Sequence, residues 1–360
     1  MIELKVQAIE AYLRRVYGDN TRLLDAGDIG SLDAQGMKGF GYGKPLLVRF
    51  NTGDAVREAV FSVMKDDKYG HQFYWDRAAI LMFQYATSAR MARHVHPLGL
   101  GFVDGADSLI PVEDPKEFFI VNEKLEGHDY FLDLERIRKS GLLDRDLETS
   151  REFARWLAGV HAVKLDDPPL YSRRIRNLLG ASECILGLVD EAFPHDYAFF
   201  GRDRFQALEK RLIEWRWKLK GYAHRLSAVH GDFHPWNVLV TDDGDFSVLD
   251  RSRGEWGEPG GDLACMAVNY LLWSLYDHEK LAGPYRELYL AYFGEYLDRT
   301  GDTEVLEVLA PFCVFRGLVI ASPEWYPDHP DAVRRRLFNF VVNVLEDEVF
   351  DWEHVNRYLE

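Results

Sequence analysis

Hydrophobic and polar positions along the chain change their rhythm several times. Residues 3–17 place Ile9, Leu13 and Val16 near helical spacing, which predicts a short amphipathic helix. From about 22 to 65 the texture turns to short β-like runs broken by glycines. LLVRF (46–50) and AVREAVFSVMK (55–65) are the clearest of them, and Asn51-Thr52-Gly53-Asp54 between them predicts a hairpin turn. Residues 71–87 return to a helical texture, and FFIVNEKL (118–125) resembles a strand running out into a polar loop. After Gly127 the chain is mostly helical, with strong apolar periodicity in 144–163, 203–220, 262–277 and 303–320. One β-like island interrupts it over 228–250, where NVLVT and FSVLD flank the turn Asp242-Asp243-Gly244-Asp245. The pattern predicts an α+β chain of two lobes. A β-rich N-terminal lobe occupies 1–122, a hinge 123–127, and a mainly helical C-terminal lobe 128–360.

Composition narrows the classes. With 360 residues the chain is long enough for two domains and a sizeable core, without disulfides or a structural metal. Lys and Arg number 43 against 59 Asp and Glu, a net charge of −16, which disfavours a broad nucleic-acid footprint and adhesion to anionic membranes. Cys184, Cys265 and Cys313 are far apart and fit no metal or disulfide spacing, as expected of inert thiols in a reducing cytoplasm. Glu3 and Glu10 fall where a secretory leader needs an apolar core. The best apolar stretch, Leu263 to Tyr276, has Asn269 inside it and is too short to span a bilayer. A cytoplasmic protein acting on a small molecule is expected.

The β-like island carries the chemistry. In His230-Gly231-Asp232-Phe233-His234-Pro235-Trp236-Asn237, an Asp and an Asn stand five apart on a loop, and Asp250 follows thirteen residues later, after the second run. Phosphoryl transfer from ATP needs such a set: a carboxylate to orient the attacking hydroxyl and take its proton, and hard oxygen ligands to hold Mg²⁺ on the phosphates. The H-x-D-x-x-x-x-N spacing is that of a kinase catalytic loop, with Asp250 where the metal-binding aspartate follows it.

These residues also carry a family resemblance. HGDFHPWNVLV is similar to the H-G-D-x-H-x-x-N block of the aminoglycoside phosphotransferase and choline kinase group, and LDRSRGEWGEPGGDLA resembles its second block. The resemblance implies a bilobal, protein-kinase-like fold and an ATP- and Mg²⁺-dependent small-molecule kinase. The acceptor would be of the aminoglycoside, amino sugar or amino alcohol type. Asp232 would be the catalytic base, Asn237 and Asp250 the Mg²⁺ ligands, and Asp262 a structural aspartate bracing the loop that begins at His230. His161 in LAGVHAVK matches the family's leucine-histidine helix end.

The N-terminal lobe is expected to bind the nucleotide. A kinase needs a glycine-rich turn over the phosphates and a strand lysine gripping them. Gly39, Gly41 and Gly43 cluster before LLVRF, and Lys65 ends the run VFSVMK on the same face as Phe61 and Val63. Asp76 is the first candidate for its carboxylate partner, with Asp66 and Asp67 as fallbacks. IVNEKLEG resembles the family's hinge, where the backbone of Glu123 to Leu125 would meet adenine.

Plainer readings stand beside these. A catalytically silent nucleotide-binding or scaffold protein on the same fold remains the alternative function. His230 and His234 are expected to be ordinary loop histidines, Asp262 also suits a helix N-cap, and Arg334-Arg335-Arg336 reads as a solvated helix face. Trp236 and Trp256, with Glu255 and Glu258 nearby, are candidates to line an acceptor site for an amine or a sugar face.

Overall fold

The computed structural model describes residues 4–28, 43–88, 90–91, 93–113 and 115–360. They divide into two compact units, Met1–Asn122 and Glu123–Glu360. The fold is of the expected α+β class, strands dominating the first unit's sheet and helices the second unit.

The N-terminal unit runs α1 (Val6–Tyr17), β1 (Arg22–Asp28), β2 (Gly43–Asn51), β3 (Val56–Met64), α2 (Tyr74–Ser88), β4 (Leu100–Val103) and β5 (Leu109–Val112). Strands β1, β2 and β3 form an antiparallel meander. The turn between β2 and β3 falls at 51–54: the Asn51 side chain accepts from the Gly53 amide at 2.7 Å, and Thr52 N donates to Ala55 O at 3.0 Å. Gly53 has φ +95°, which a residue without Cβ adopts at no steric cost. Ile9 and Leu13 of α1 bury against Val48 and Phe50 of β2, while Val16 faces outward. One expectation is corrected. Residues 118–125 form no strand, and Phe119 is 90% exposed. Their apolar run satisfies strand composition, but a strand needs a neighbour for its ladder, and among the described residues no strand pairs with this run.

The C-terminal unit continues with β6 (His128–Asp129), α3 (Tyr130–Ser140), α4 (Asp144–His161), α5 (Pro168–Gly180), α6 (Ile185–Glu191), α7 (Arg202–Leu219), β7 (Ser227–Ala228), β8 (Val238–Val240), β9 (Phe246–Val248), β10 (Trp256–Gly257), α8 (Gly260–Leu275), α9 (Gly283–Thr300), α10 (Val305–Val308), α11 (Ala310–Ala321) and α12 (Asp331–Asn343). Helix α8 is apolar on nearly every face and lies in the centre, packed by α9, α11 and α12, as an all-round apolar helix must be. The periodic stretch 303–320 divides into α10 and α11, where Pro311 has no N–H to continue the ladder. No helix among the described residues is long and apolar enough to cross a membrane.

Buried charge is satisfied by name in most of this unit. Arg225, 3% exposed, donates to Glu258 at 2.8 Å and to Asp302 at 2.6 Å, and Tyr171 OH adds a bond to Glu258 at 2.9 Å. Arg334 departs from the solvated reading: it is buried and donates to the carbonyls of Ala321, Tyr326 and Pro327. Only Arg335 and Arg336 of that run reach outward, toward Asp331 and Glu279. Removing one partner from a buried pair leaves the other charge uncompensated. Glu258→Ala should therefore destabilise the protein by about 3–5 kcal/mol, read as a lower urea midpoint; an unchanged midpoint would show that the Arg225 cluster is not a stability determinant.

Candidate active site

The loop between β7 and β8 is held by its backbone. Asp262, in the first turn of α8 and fully buried, accepts from His230 N and Gly231 N, each at 2.7 Å. Its Oδ2 also meets His161 Nε2 at 3.1 Å, and His161 Nδ1 pairs with Tyr296 OH at 2.9 Å. The network fits a His161 that donates from Nε2 and accepts from the tyrosine. The carboxylate is thus spent on the loop. Gly231 has φ +96°, and a Cβ there would lie 3.2 Å from Gly254 O, so the tight approach requires glycine.

Beyond this clamp the chain folds back on itself. His234 N and Asn237 Nδ2 both donate to Asp232 O, at 3.0 Å each, so the Asn237 amide is oriented with its oxygen turned away from that bond. Strands β8 and β9 pair Val238 with Val248, and Leu249 N donates to Asn237 O at 2.9 Å. This register brings the backbone of Asn237 beside the residue preceding Asp250. Asp250 takes the left-handed conformation, φ +54°, rare for a residue with a side chain, and its carboxylate is exposed with no hydrogen bond among the described residues. An amide oxygen and a free carboxylate are hard donors of the kind Mg²⁺ takes, so the pair fits that ion by its chemistry.

The Asp232 carboxylate is buried among cations. Arg253 Nε donates to Oδ2 at 3.2 Å, Arg316 Nη1 lies 3.8 Å from Oδ1, His234 Nε2 lies 3.7 Å from Oδ2, and the buried Cys265 thiol is 3.9 Å from Oδ1. Burial alone would raise the Asp232 pKa. The guanidiniums of Arg316 and Arg253 outweigh it and hold the carboxyl below its usual range. His234 goes further, lowered to about 3 by burial and by the same two arginines against the pull of Asp232. Burial pushes the Cys265 thiol up to about 12, which keeps it inert.

The other residues singled out in the sequence fall as follows. His230 is buried, its Nδ1 facing the Asp232 amide at 3.3 Å. Lys65 follows β3 directly; the Asp67 pKa, raised by burial, is lowered overall by its hydrogen bonds with His71 Nδ1 at 2.9 Å and Tyr69 N, with the nearby charges of His71 and Lys65 adding to this. Asp76 accepts from Phe73 N at 3.1 Å and so caps the start of α2. Gly43 opens β2, whereas Gly39 and Gly41 lie outside the described residues. Glu123 and Leu125 lie in an irregular segment at the start of the second unit, Glu123 exposed and Leu125 half-buried. Among the described residues no group of three or more His, Cys, Asp or Glu could hold a metal.

The sequence model described as "Phosphotransferase enzyme family" matches residues 85–304, more than half of the chain. The chain belongs to this family. Its enzyme class is accordingly that of a small-molecule kinase. Solved structures similar to this phosphotransferase include an ethanolamine kinase of Plasmodium vivax (14% identity, 92% of this chain and 82% of that one, TM-score 0.35). A choline kinase from Streptococcus pneumoniae (10%, 94% and 98%, TM-score 0.35) and an aminoglycoside phosphotransferase from Streptomyces rimosus (16%, 86% and 99%, TM-score 0.34) are others. No curated protein sequence matches the chain.

Two residues beside the Asp232 carboxylate escaped the sequence reading. Arg253 stands three residues after Asp250, inside the second motif block, and Arg316 is the only charged side chain of α11, APFCVFRGLVIA. A lone arginine in an apolar helix is the signal that marks such a buried charge.

The folded protein leaves His234 unprotonated down to about pH 3, whereas the unfolded chain takes that proton near 6.5. Between these values the unfolded state binds more protons, so stability falls as pH falls through the window. His234→Gln should flatten that part of the stability curve, and in the wild type the His234 imidazole NMR signals should stay at their neutral positions at pH 5. A titration near the ordinary histidine value would overturn the assignment.

Proposed function

We propose that the chain transfers the γ-phosphoryl group of ATP, with Mg²⁺, to a hydroxyl of a small molecule, and that it does so in the cytoplasm. The observation that supports this reading is the union, on one clamped loop and one hairpin, of a buried ionised Asp232 with the hard oxygens of Asn237 and Asp250. Three thiols without a disulfide suit a reducing compartment.

Asp232 accepts a hydrogen bond from the acceptor hydroxyl and aims its oxygen at the phosphorus. A carboxylate held below its usual pKa is a weak base, so the proton moves to Asp232 as the new O–P bond forms and the bond from phosphorus to the bridging oxygen breaks, releasing ADP. Asn237 and Asp250 would hold Mg²⁺, which when bound neutralises charge on the phosphates. Asp262 and His230 keep the loop in place. In the N-terminal unit Lys65 steadies the phosphates, Gly39, Gly41 and Gly43 cover them, Asp76 orients the lysine, and the backbone of Glu123 and Leu125 meets the adenine. The first acceptors to test are the aminoglycoside, amino sugar and amino alcohol classes, together with hydroxy amino acids.

Two variants test the assignment. Asp232→Asn should lower Mg²⁺-dependent ADP release in the presence of acceptor by at least about 100-fold while Mg·ATP binding, followed by calorimetry, changes little. Lys65→Ala should instead weaken ATP binding and raise its KM. Full turnover in Asp232→Asn would remove the base, and a wild type that binds no Mg·ATP would end the kinase reading.

A further inference from the structure

We propose that the acceptor carries a carboxylate, or an equivalent small anionic group, which the guanidinium of Arg316, assisted by Arg253, holds beside Asp232. The inference rests on the kinase reading above and names the substrate class of that same site.

Three arginines of the C-terminal unit are almost wholly buried, and two of them are saturated. Arg225 is bonded to Glu258 and Asp302, and Arg334 to three backbone carbonyls. Arg316, 4% exposed, differs: it makes no hydrogen bond among the described residues, and its Nε is buried without a partner. Its nearest acid, Asp232 Oδ1, is 3.8 Å from Nη1, too far for a hydrogen bond. A desolvated guanidinium with free donors is unfavourable unless something supplies acceptor oxygens, and its planar fork matches a carboxylate in bidentate fashion.

The charge balance points the same way. Around the Asp232 carboxylate stand two guanidiniums, an excess of positive charge at that carboxylate within a chain of net charge −16. Two of the nearby acids are already occupied: Asp262 accepts from the loop amides, and Glu258 from Arg225 and Tyr171, while Glu255 takes the indole N–H of Trp256 at 2.9 Å through one oxygen. Of the two glutamates offered to an amine, Glu258 is therefore committed to Arg225 and Tyr171. Arg253, stacked 5.2 Å over Phe315, has among the described residues only the carbonyl of Glu183 and, at 3.9 Å, its carboxylate as further oxygen partners. The anion in this cradle has two possible sources, a carboxylate of the acceptor or the phosphoryl group in transfer, and we commit to the acceptor.

The test uses the unmodified wild-type chain with acceptors matched in pairs: L-serine and ethanolamine, glycerate and glycerol, glucuronate and glucose. Mg·ATP-dependent ADP release should favour the carboxylate member of at least one pair by about 100-fold or more in kcat/KM. Arg316→Gln should erase that preference by raising KM for the carboxylate, and Arg316→Lys should restore part of it. Glycerate, serine or glucuronate should also raise the wild-type melting temperature, and less so in Arg316→Gln. Preference for the neutral or cationic members would overturn the proposal. So would an Arg316→Gln effect on kcat that is equal for all acceptors, since that places the arginine on the phosphoryl group. Absence of both carboxylate turnover and carboxylate stabilisation overturns it as well. Arg316-dependent stabilisation by carboxylates without any ATP turnover would instead sink the kinase reading and leave the anion cradle standing. The wild-type pairs decide the matter even if the Arg316 variants fail to fold.

Discussion

A single carboxylate, fully buried at the start of a central helix, sets the geometry on which the site depends. Asp262 grips two successive backbone amides of the loop, and His161 with Tyr296 fixes the carboxylate in turn. Two charge-assisted bonds to the main chain determine where the next residue must go, whatever its side chain is. The side chain of Asp232, the base we propose, emerges where α8 and α11 bring Cys265 and Arg316 close to it. The hairpin that follows then carries Asn237 and Asp250 through ordinary strand register.

Electrostatics inside this frame run against the average of the chain. The surface is rich in carboxylates, yet the interior near Asp232 is dominated by guanidinium. The consequence is visible in two groups that burial alone would push in opposite directions. Asp232 and His234 are both shifted down, the first because cations favour its charged form, the second because burial and the same cations oppose its protonation. Both groups thus keep one protonation state through the neutral range, and a site with fixed charges needs no reorganisation when a substrate arrives.

Much of this was legible in the sequence, for identifiable reasons. The two-lobe α+β organisation follows from the switch between period-two and helical patterns, and the β2–β3 and β8–β9 hairpins from Asn-Thr-Gly-Asp and Asp-Asp-Gly-Asp. Asp232, Asn237 and Asp250, whose roles we propose, lie on one loop and one hairpin, so a local pattern was enough to single them out. What stayed hidden depends on distant contact. Arg316 meets Asp232 across a separation that no local pattern spans, and whether Arg334 is solvated or buried is decided by which carbonyls lie opposite it. The run at 118–125 misled because strand composition does not guarantee a pairing partner. Glu258 looked available only because Arg225, far away in sequence, could not be seen to occupy it.

The loop's anchoring has a consequence for how such a protein can change. Its position is written in amide hydrogens and in two glycines, Gly231 and Gly254, that pass within van der Waals reach of each other. Phe233, His234, Pro235 and Trp236 contribute their side chains to the surroundings without supplying the bonds from Asp262. Reactivity and selectivity are therefore separable inheritances here. Exchange of residues around the carboxylate, or of one arginine on α11, can redraw what the pocket accepts while the carboxylate itself stays where the buried aspartate has put it.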